Sequence, residues 1–161
     1  MAEVWIVNAS PLIVLARAGC LHLLEALAPM VIVPGAVARE IAAGPVEDPA
    51  RVWIEKDGIP CISADLSVPA RIAALNLGAG ESAVLAHAQH HPGSEAILDD
   101  LAARRAAAAL SIPTRGTLSI ILTAKQRGLI PAAAPYFARV ERAGLFVSAS
   151  LRSQALALVG E

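Results

Sequence analysis

Aromatic side chains are almost absent from this chain, at 3% of 161 residues. A protein that binds single strands on a row of stacked rings needs more, which argues against such a platform. The core must be aliphatic instead. Only two cysteines occur, Cys20 and Cys61. They lie far apart and form neither a CxxC pair nor a metal-ligand spacing, so both are expected as small apolar residues, buried or half-buried. No run of about 18 uncharged apolar residues exists, so no membrane span is expected. The nearest run, Leu21 to Val33, is interrupted by His22, Glu25 and Pro29 and bounded by Pro34. The first residues include Glu3 and no basic stretch, so no secretory signal is expected and the cytoplasm is the default location. A formal net charge of −1 and a pI near 6.4 argue against a polycation that grips nucleic acid nonspecifically.

What is present is aliphatic and alanine-rich. Hydrophobic residues make up 56% of the chain and mean hydropathy is +0.59. The length predicts one domain, residues 1–161, with a proper core. Apolar runs suited to short strands alternate with helical patterns. Strands are expected at Val4–Val7, Met30–Val33, Ile59–Ile62, Glu95–Leu98 and Ser111–Thr114, with Leu145–Val147 as a further edge strand. Helices are expected at Pro11–Ala18, Gly19–Ala28, Ala36–Ala43, Pro69–Leu75, Glu81–His91, Asp100–Leu110, Thr117–Arg127, Pro135–Ala143 and Ser150–Val159, with another helix or a loop inside Val46–Asp57. Strands separated by helices imply right-handed crossovers. The predicted fold is a three-layer α/β/α sandwich on a small, mostly parallel sheet of about four or five strands.

Several polar residues stand where such a sheet would gather them. Asn8 and Ser10 follow the first strand, and Asp99 and Asp100 follow Ala96-Ile97-Leu98. In open parallel sheets ligands bind at the carboxyl ends of strands. Glu40 shares a helical stripe with Val37 and Gly44, and Glu81 shares one with Leu85 and Ala88. Carboxylates on apolar stripes are costly without a cationic partner. A divalent metal supplies one, and carboxylate-held metals commonly cut phosphodiesters. Structural roles compete at each position. Asn8 could form a turn, Ser10 could cap the helix that Pro11 opens, and Asp99 or Asp100 could cap the next helix. Glu81 could serve only as a helix-start charge, and Arg104 could pair with Asp100. His87, His90 and His91 share one helix end without an HExxH pattern, so solvation or dipole pairing is expected there rather than zinc. Ser10 and Ser82 have no evident His-acid partners for a serine hydrolase. A nucleotide-binding reading is weaker, because no Gly-rich loop follows the first strand.

Four segments resemble the PIN-domain superfamily: Val7-Asn8-Ala9-Ser10-Pro11-Leu12-Ile13, Val33-Pro34 with Val37 and Arg39-Glu40-Ile41, Leu77-Gly78 with Gly80-Glu81-Ser82-Ala83, and Ile97-Leu98-Asp99-Asp100 with Arg104-Arg105. Gly116-Thr117, Lys125 and Gly128-Leu129-Ile130 are similar to the later part of its small prokaryotic branch, related to VapC-type toxin ribonucleases. The resemblance implies a cluster of acids that binds Mg²⁺ or Mn²⁺ for metal-dependent ribonuclease chemistry. Carried over, the acidic positions are Asn8, Glu40, Glu81 and Asp99, with Asp100 beside them. Glu40, Glu81 and Asp99 would be the catalytic set. Ser10, Arg104, Arg105 and Thr117 would contact substrate, Thr117 through water or phosphate. The family usually has aspartate where Asn8 stands. Asparagine offers a carbonyl oxygen but no charge, so the chain is either a nuclease with weakened metal binding or a degenerate RNA- or protein-binding module. The resemblance further implies an antitoxin protein as partner. A homodimer is expected too, because helices between Pro11 and Ala28 carry more aliphatic surface than a monomer would expose.

Overall fold

The computed structural model describes residues 2–161. The strand β1 (Val4–Val7) is an unbroken apolar run, and Trp5, Ile6 and Val7 are fully buried. Such a run suits a central parallel strand covered on both faces. It pairs in parallel with β2 (Met30–Pro34) on one side, Ile6 opposite Ile32, and with β4 (Glu95–Ile97) on the other, Ile6 opposite Ala96. The two-residue strands β3 (Ile62–Ser63) and β5 (Thr114–Arg115) close the edges. The sheet is five-stranded and all parallel, in the order β3-β2-β1-β4-β5. The chain runs outward from β1 to β3, then returns to the far side of β1 for β4. That reversal opens a crevice at the carboxyl end of β1.

Helices flank the sheet, giving the α/β/α sandwich. Helix α1 (Ala9–Arg17) leads into α2 (Leu21–Leu27), and β2 leads into α3 (Gly35–Ala42) and α4 (Pro49–Ile54). After β3 come α5 (Ala70–Ala73) and α6 (Ala79–His90). Helix α7 (Leu101–Ala109) links β4 to β5, and α8 (Thr117–Gln126), α9 (Ala134–Arg142) and α10 (Ala149–Ala157) complete the chain. Helix α6 lies across β1, β2 and β4 with α3 and α5 beside it, while α1 packs with α2, α8 and α9. The chain tie at the far edge is ionic: Arg115 on β5 donates to both carboxylate oxygens of Glu95 on β4, at 2.6 and 3.2 Å, and its guanidinium stands over the Trp5 ring. Arg115 is therefore committed inside the fold.

Several boundaries depart from the sequence expectation. Helix α1 starts at Ala9, so Ser10 is an exposed first-turn residue and not the cap. Asn8 holds the N-cap position without a side-chain cap bond. Gly19, at φ +69°, ends α1 in the left-handed conformation that glycine adopts without steric cost. Ile59–Cys61 form a 3₁₀ turn, leaving only Ile62–Ser63 for the edge strand. Leu145–Val147 are not a strand, since β5 gains no partner on its outer side. The aliphatic residues between Pro11 and Ala28 point inward: Leu12, Leu15, Leu23, Leu24 and Leu27 are all core. Ile13 and Leu21 stay half-buried, so less apolar surface lies open there than the homodimer expectation assumed. Among the described residues no single helix is long and apolar enough to cross a membrane.

Helix α6 differs most from its pattern. Gly80 and the whole stretch from Ser82 to Ala88 are buried, because the helix is packed on nearly all sides. His87 is carried inward with them at 1% exposure, not left at a solvated helix end. Neither ring nitrogen has a hydrogen-bond partner of normal geometry, although the Ala64 backbone lies close enough to favour the charged form weakly. Burial, reinforced by the neighbouring His91, pushes the His87 pKa below its ordinary value of 6.5. The unfolded chain therefore binds a proton that the folded chain refuses just below pH 6.5. Stability should fall as pH drops from 7 through that window and level off below the folded pKa. In urea denaturation at pH 7 and pH 5, the loss should be smaller in His87→Leu than in the parent. An equal loss in both proteins would show that His87 is not its source.

Candidate functional site

The crevice at the end of β1 is built from three segments. The Asn8 N–H donates to Ile97 O at 3.1 Å, extending the β1–β4 ladder by one residue. Its carbonyl accepts from Leu12 N at 3.5 Å, which starts α1. The side chain is left inside at 6% exposure, and Oδ1 has no hydrogen-bond partner. Helix α3 brings Arg39 and Glu40, and the start of α6 brings Gly78, Ala79, Gly80 and Glu81. Together with Asn8 and Ala36 they line a cavity of about 440 Å³.

Gly80 shows how tightly two oxygens converge there. A methyl group on its Cα would lie 2.7 Å from Glu40 Oε2 and 3.2 Å from Asn8 Oδ1. Glu40 as a whole is exposed, so its stripe does not enter the core, but its tip reaches over Gly80. Glu81 is half-buried, and its Oε2 accepts from Gly78 N at 3.0 Å, closing the start of α6. It thus serves the helix start while facing the same cavity. Arg39 on the cavity wall is held by Asp65, 2.7 Å away, and Asp65 also accepts from Ala36 N at 2.9 Å. The Arg39 guanidinium, with Ala36 N adding to it, holds the Asp65 carboxyl below the usual carboxylate range.

Asp99 belongs to a neighbouring cavity, not to this one. Its Oδ1 accepts from Thr117 N at 2.8 Å and its Oδ2 from Thr117 Oγ1 at 2.6 Å. Thr117 is fully buried, so its hydroxyl steadies Asp99 directly and does not face water or phosphate. Arg104 lies next to Asp99, Nη1 and Oδ1 both flanking Gly116. Asp100 caps α7 by accepting from Ala103 N at 2.9 Å, and among the described residues it forms no ion pair with Arg104. Arg105 is exposed. Sequence reasoning missed Arg39 and Gly80 as site residues. The signal was a small residue, Gly80, immediately before Glu81, and a cation immediately before Glu40.

Residues 4–161 match the family DUF3368, described as a PIN domain. The chain belongs to the PIN-domain family. No curated protein matches it. PIN domains have a nuclease-type fold and generally use divalent metals, so the donors of this PIN domain can be tested for fit. Among the described residues no three His, Cys, Asp or Glu side chains converge as a metal site. What converges is one carboxylate oxygen of Glu40 and one unpartnered amide oxygen of Asn8, with Glu81 nearby. These are hard oxygen donors, and they fit a small cation that keeps several of its waters.

Both cysteines are free thiols, Cys20 buried and Cys61 half-buried. Burial pushes both thiols up, which leaves them in the protonated, unreactive form.

Gly80→Ala should separate fold from site. Alanine in a helix is favoured over glycine by about 1 kcal/mol, which offsets the crowding against the movable Glu40 tip and the milder contact with the Asn8 amide oxygen. Thermal unfolding should change little, while Mn²⁺ affinity measured by calorimetry should drop. Unchanged affinity would remove the space above Gly80 from the site.

Proposed function

We propose that this PIN domain is a slow, metal-dependent endoribonuclease of the toxin type. The reading is carried by one observation: the buried Asn8 Oδ1 lacks a partner and lies with Glu40 Oε2 over Gly80, at the crevice where the strand order reverses. A buried amide oxygen left unpaired costs about 1–3 kcal/mol, and a cation there would offset that cost. Mg²⁺ or Mn²⁺ suits this oxygen set, with Asn8 and Glu40 as ligands and Glu81 acting through water. When bound, such an ion would acidify an attacking water and offset charge on the scissile phosphate.

The chain's own groups divide the remaining work. Glu40 supplies the negative charge that Asn8 lacks and can accept the proton of the attacking water at its carboxylate. Glu81 has one oxygen tied to Gly78 N, so its other oxygen orients water without swinging away. Asp99 is fixed by Thr117 and cannot turn toward Glu40 without breaking two short bonds. It acts from its own cavity as a fixed anion beside Arg104, which takes a phosphate of the RNA backbone. The toxin role and the antitoxin partner are supported by the resemblance of the motif series alone.

A second reading, an RNA- or protein-binding module that does not cut, is favoured by a specific feature. Asn8 is neutral, and Asp99 is spent on Thr117 in a separate cavity. Titration with Mn²⁺, paired with cleavage of single-stranded RNA, decides between them. The parent should bind Mn²⁺ weakly and cut slowly. Asn8→Asp should tighten Mn²⁺ binding at least about tenfold, since it places a second charge beside Glu40. Glu40→Gln should abolish both. Cutting only by Asn8→Asp would establish the non-cutting reading, and no Mn²⁺ binding by either protein would end the metal assignment.

A further inference from the structure

The cavity that holds Asp99 extends away from the metal crevice toward the C-terminal helices, with a volume of about 500 Å³. Its walls are mainly aliphatic, Leu118 and Leu122 of α8 among them, and Arg104 stands at the Asp99 end. At its rim lies Phe146, 90% exposed. Trp5, Trp53 and Phe137 are buried and Tyr136 is half-buried, so among the described residues Phe146 is the one exposed aromatic ring. The backbone on either side of it is held in place. Leu145 N donates to Val140 O at 3.0 Å just before it, and Ser148 caps α10 just after it by accepting from Leu151 N at 3.1 Å. A ring left in water on a backbone held at both sides presents a flat apolar face to a ligand.

We propose that this cavity is a nucleobase subsite: one unpaired base of the RNA stacks on Phe146 between the aliphatic walls, while Arg104 takes its phosphate and Gln154, whose Nε2 donates to Ser150 Oγ at 3.2 Å, offers its amide oxygen to the base edge. The inference rests on the nuclease reading and deepens it by naming what holds the RNA. Charge and shape choose the occupant. Arg104 is exposed, and the Asp99 carboxylate next to it already has both oxygens bound by Thr117, so the guanidinium keeps donors for an anion at that end while the other end suits a flat apolar body. A nucleotide has both. Scarce aromatics exclude a row of stacked bases, but one ring is sufficient for one base.

The test uses the full chain in EDTA, so that neither metal nor cutting enters. Phe146→Trp puts an indole at the rim, where its emission is separable from that of the shielded Trp5 and Trp53 (0% and 9% exposed). Hexauridylate should quench it, and an abasic ribose-phosphate hexamer of equal charge should not. Phe146→Ala, at a position too exposed to endanger folding, should weaken hexauridylate binding about tenfold. Equal binding of the two hexamers, or no loss in Phe146→Ala, overturns the subsite. Sedimentation showing that the parent self-associates and Phe146→Ala does not would also overturn it, by making the face a contact between copies. Quenching in a protein that never cuts RNA with Mn²⁺ would sink the nuclease reading alone. Cutting without quenching would sink the subsite alone.

Discussion

The backbone of Asn8 is placed before its side chain has any freedom. Its N–H completes the ladder to β4 through Ile97 O, and its carbonyl begins α1. The first of those bonds exists because β1 lies beside β4, where the strand order turns back on itself, and the second is the opening turn of α1. The amide side chain is thereby forced under α3 and α6 with its oxygen unsatisfied. Everything at the crevice follows from that position: the reach of Glu40 from α3, the need for a side-chain-free residue at Gly80, and the cap that Glu81 makes at the start of α6.

The charges near this point are fewer and more dispersed than a strong metal site requires. Glu40 and Glu81 share the cavity with Asn8, while Asp99 is fixed by Thr117 in the next one and Asp100 is spent on a helix cap. A hard cation loses much of its attraction when one ligand is a neutral amide and another carboxylate faces elsewhere. The basic residues are dispersed as well. Arg115 and Lys125 are paired within the fold and Arg39 with Asp65, so a continuous basic rim does not form around the acids. Arg104 is the exception placed to meet an anion beside Asp99.

Much of the architecture was legible. Unbroken apolar runs at Val4–Val7 and Met30–Pro34, separated by helical patterns, suffice for a small parallel sheet between helix layers. Gly19 and Gly128 marked helix ends because left-handed backbone suits glycine. Short edge elements were harder, because two-residue strands such as Thr114–Arg115 carry too few side chains for any period to show. Leu145–Val147 had a strand's composition, yet no neighbour offered a ladder. Helix α6 misled for the opposite reason: alanines packed on all sides leave no polar face to contradict an amphipathic reading, and His87 went inward with them.

By itself, the order of residues decided which polar groups end up near the carboxyl ends of strands. Asn8 after β1 and Asp99 after β4 follow from where apolar runs stop, a local property. Whether those groups share a cavity is not local. Asn8 and Glu40 meet because α6 lies over β1 and α3 packs against α6, and Asp99 stays apart because Thr117, eighteen residues later, takes both of its oxygens. Packing across distant segments sets those directions, and no periodicity along the chain encodes them.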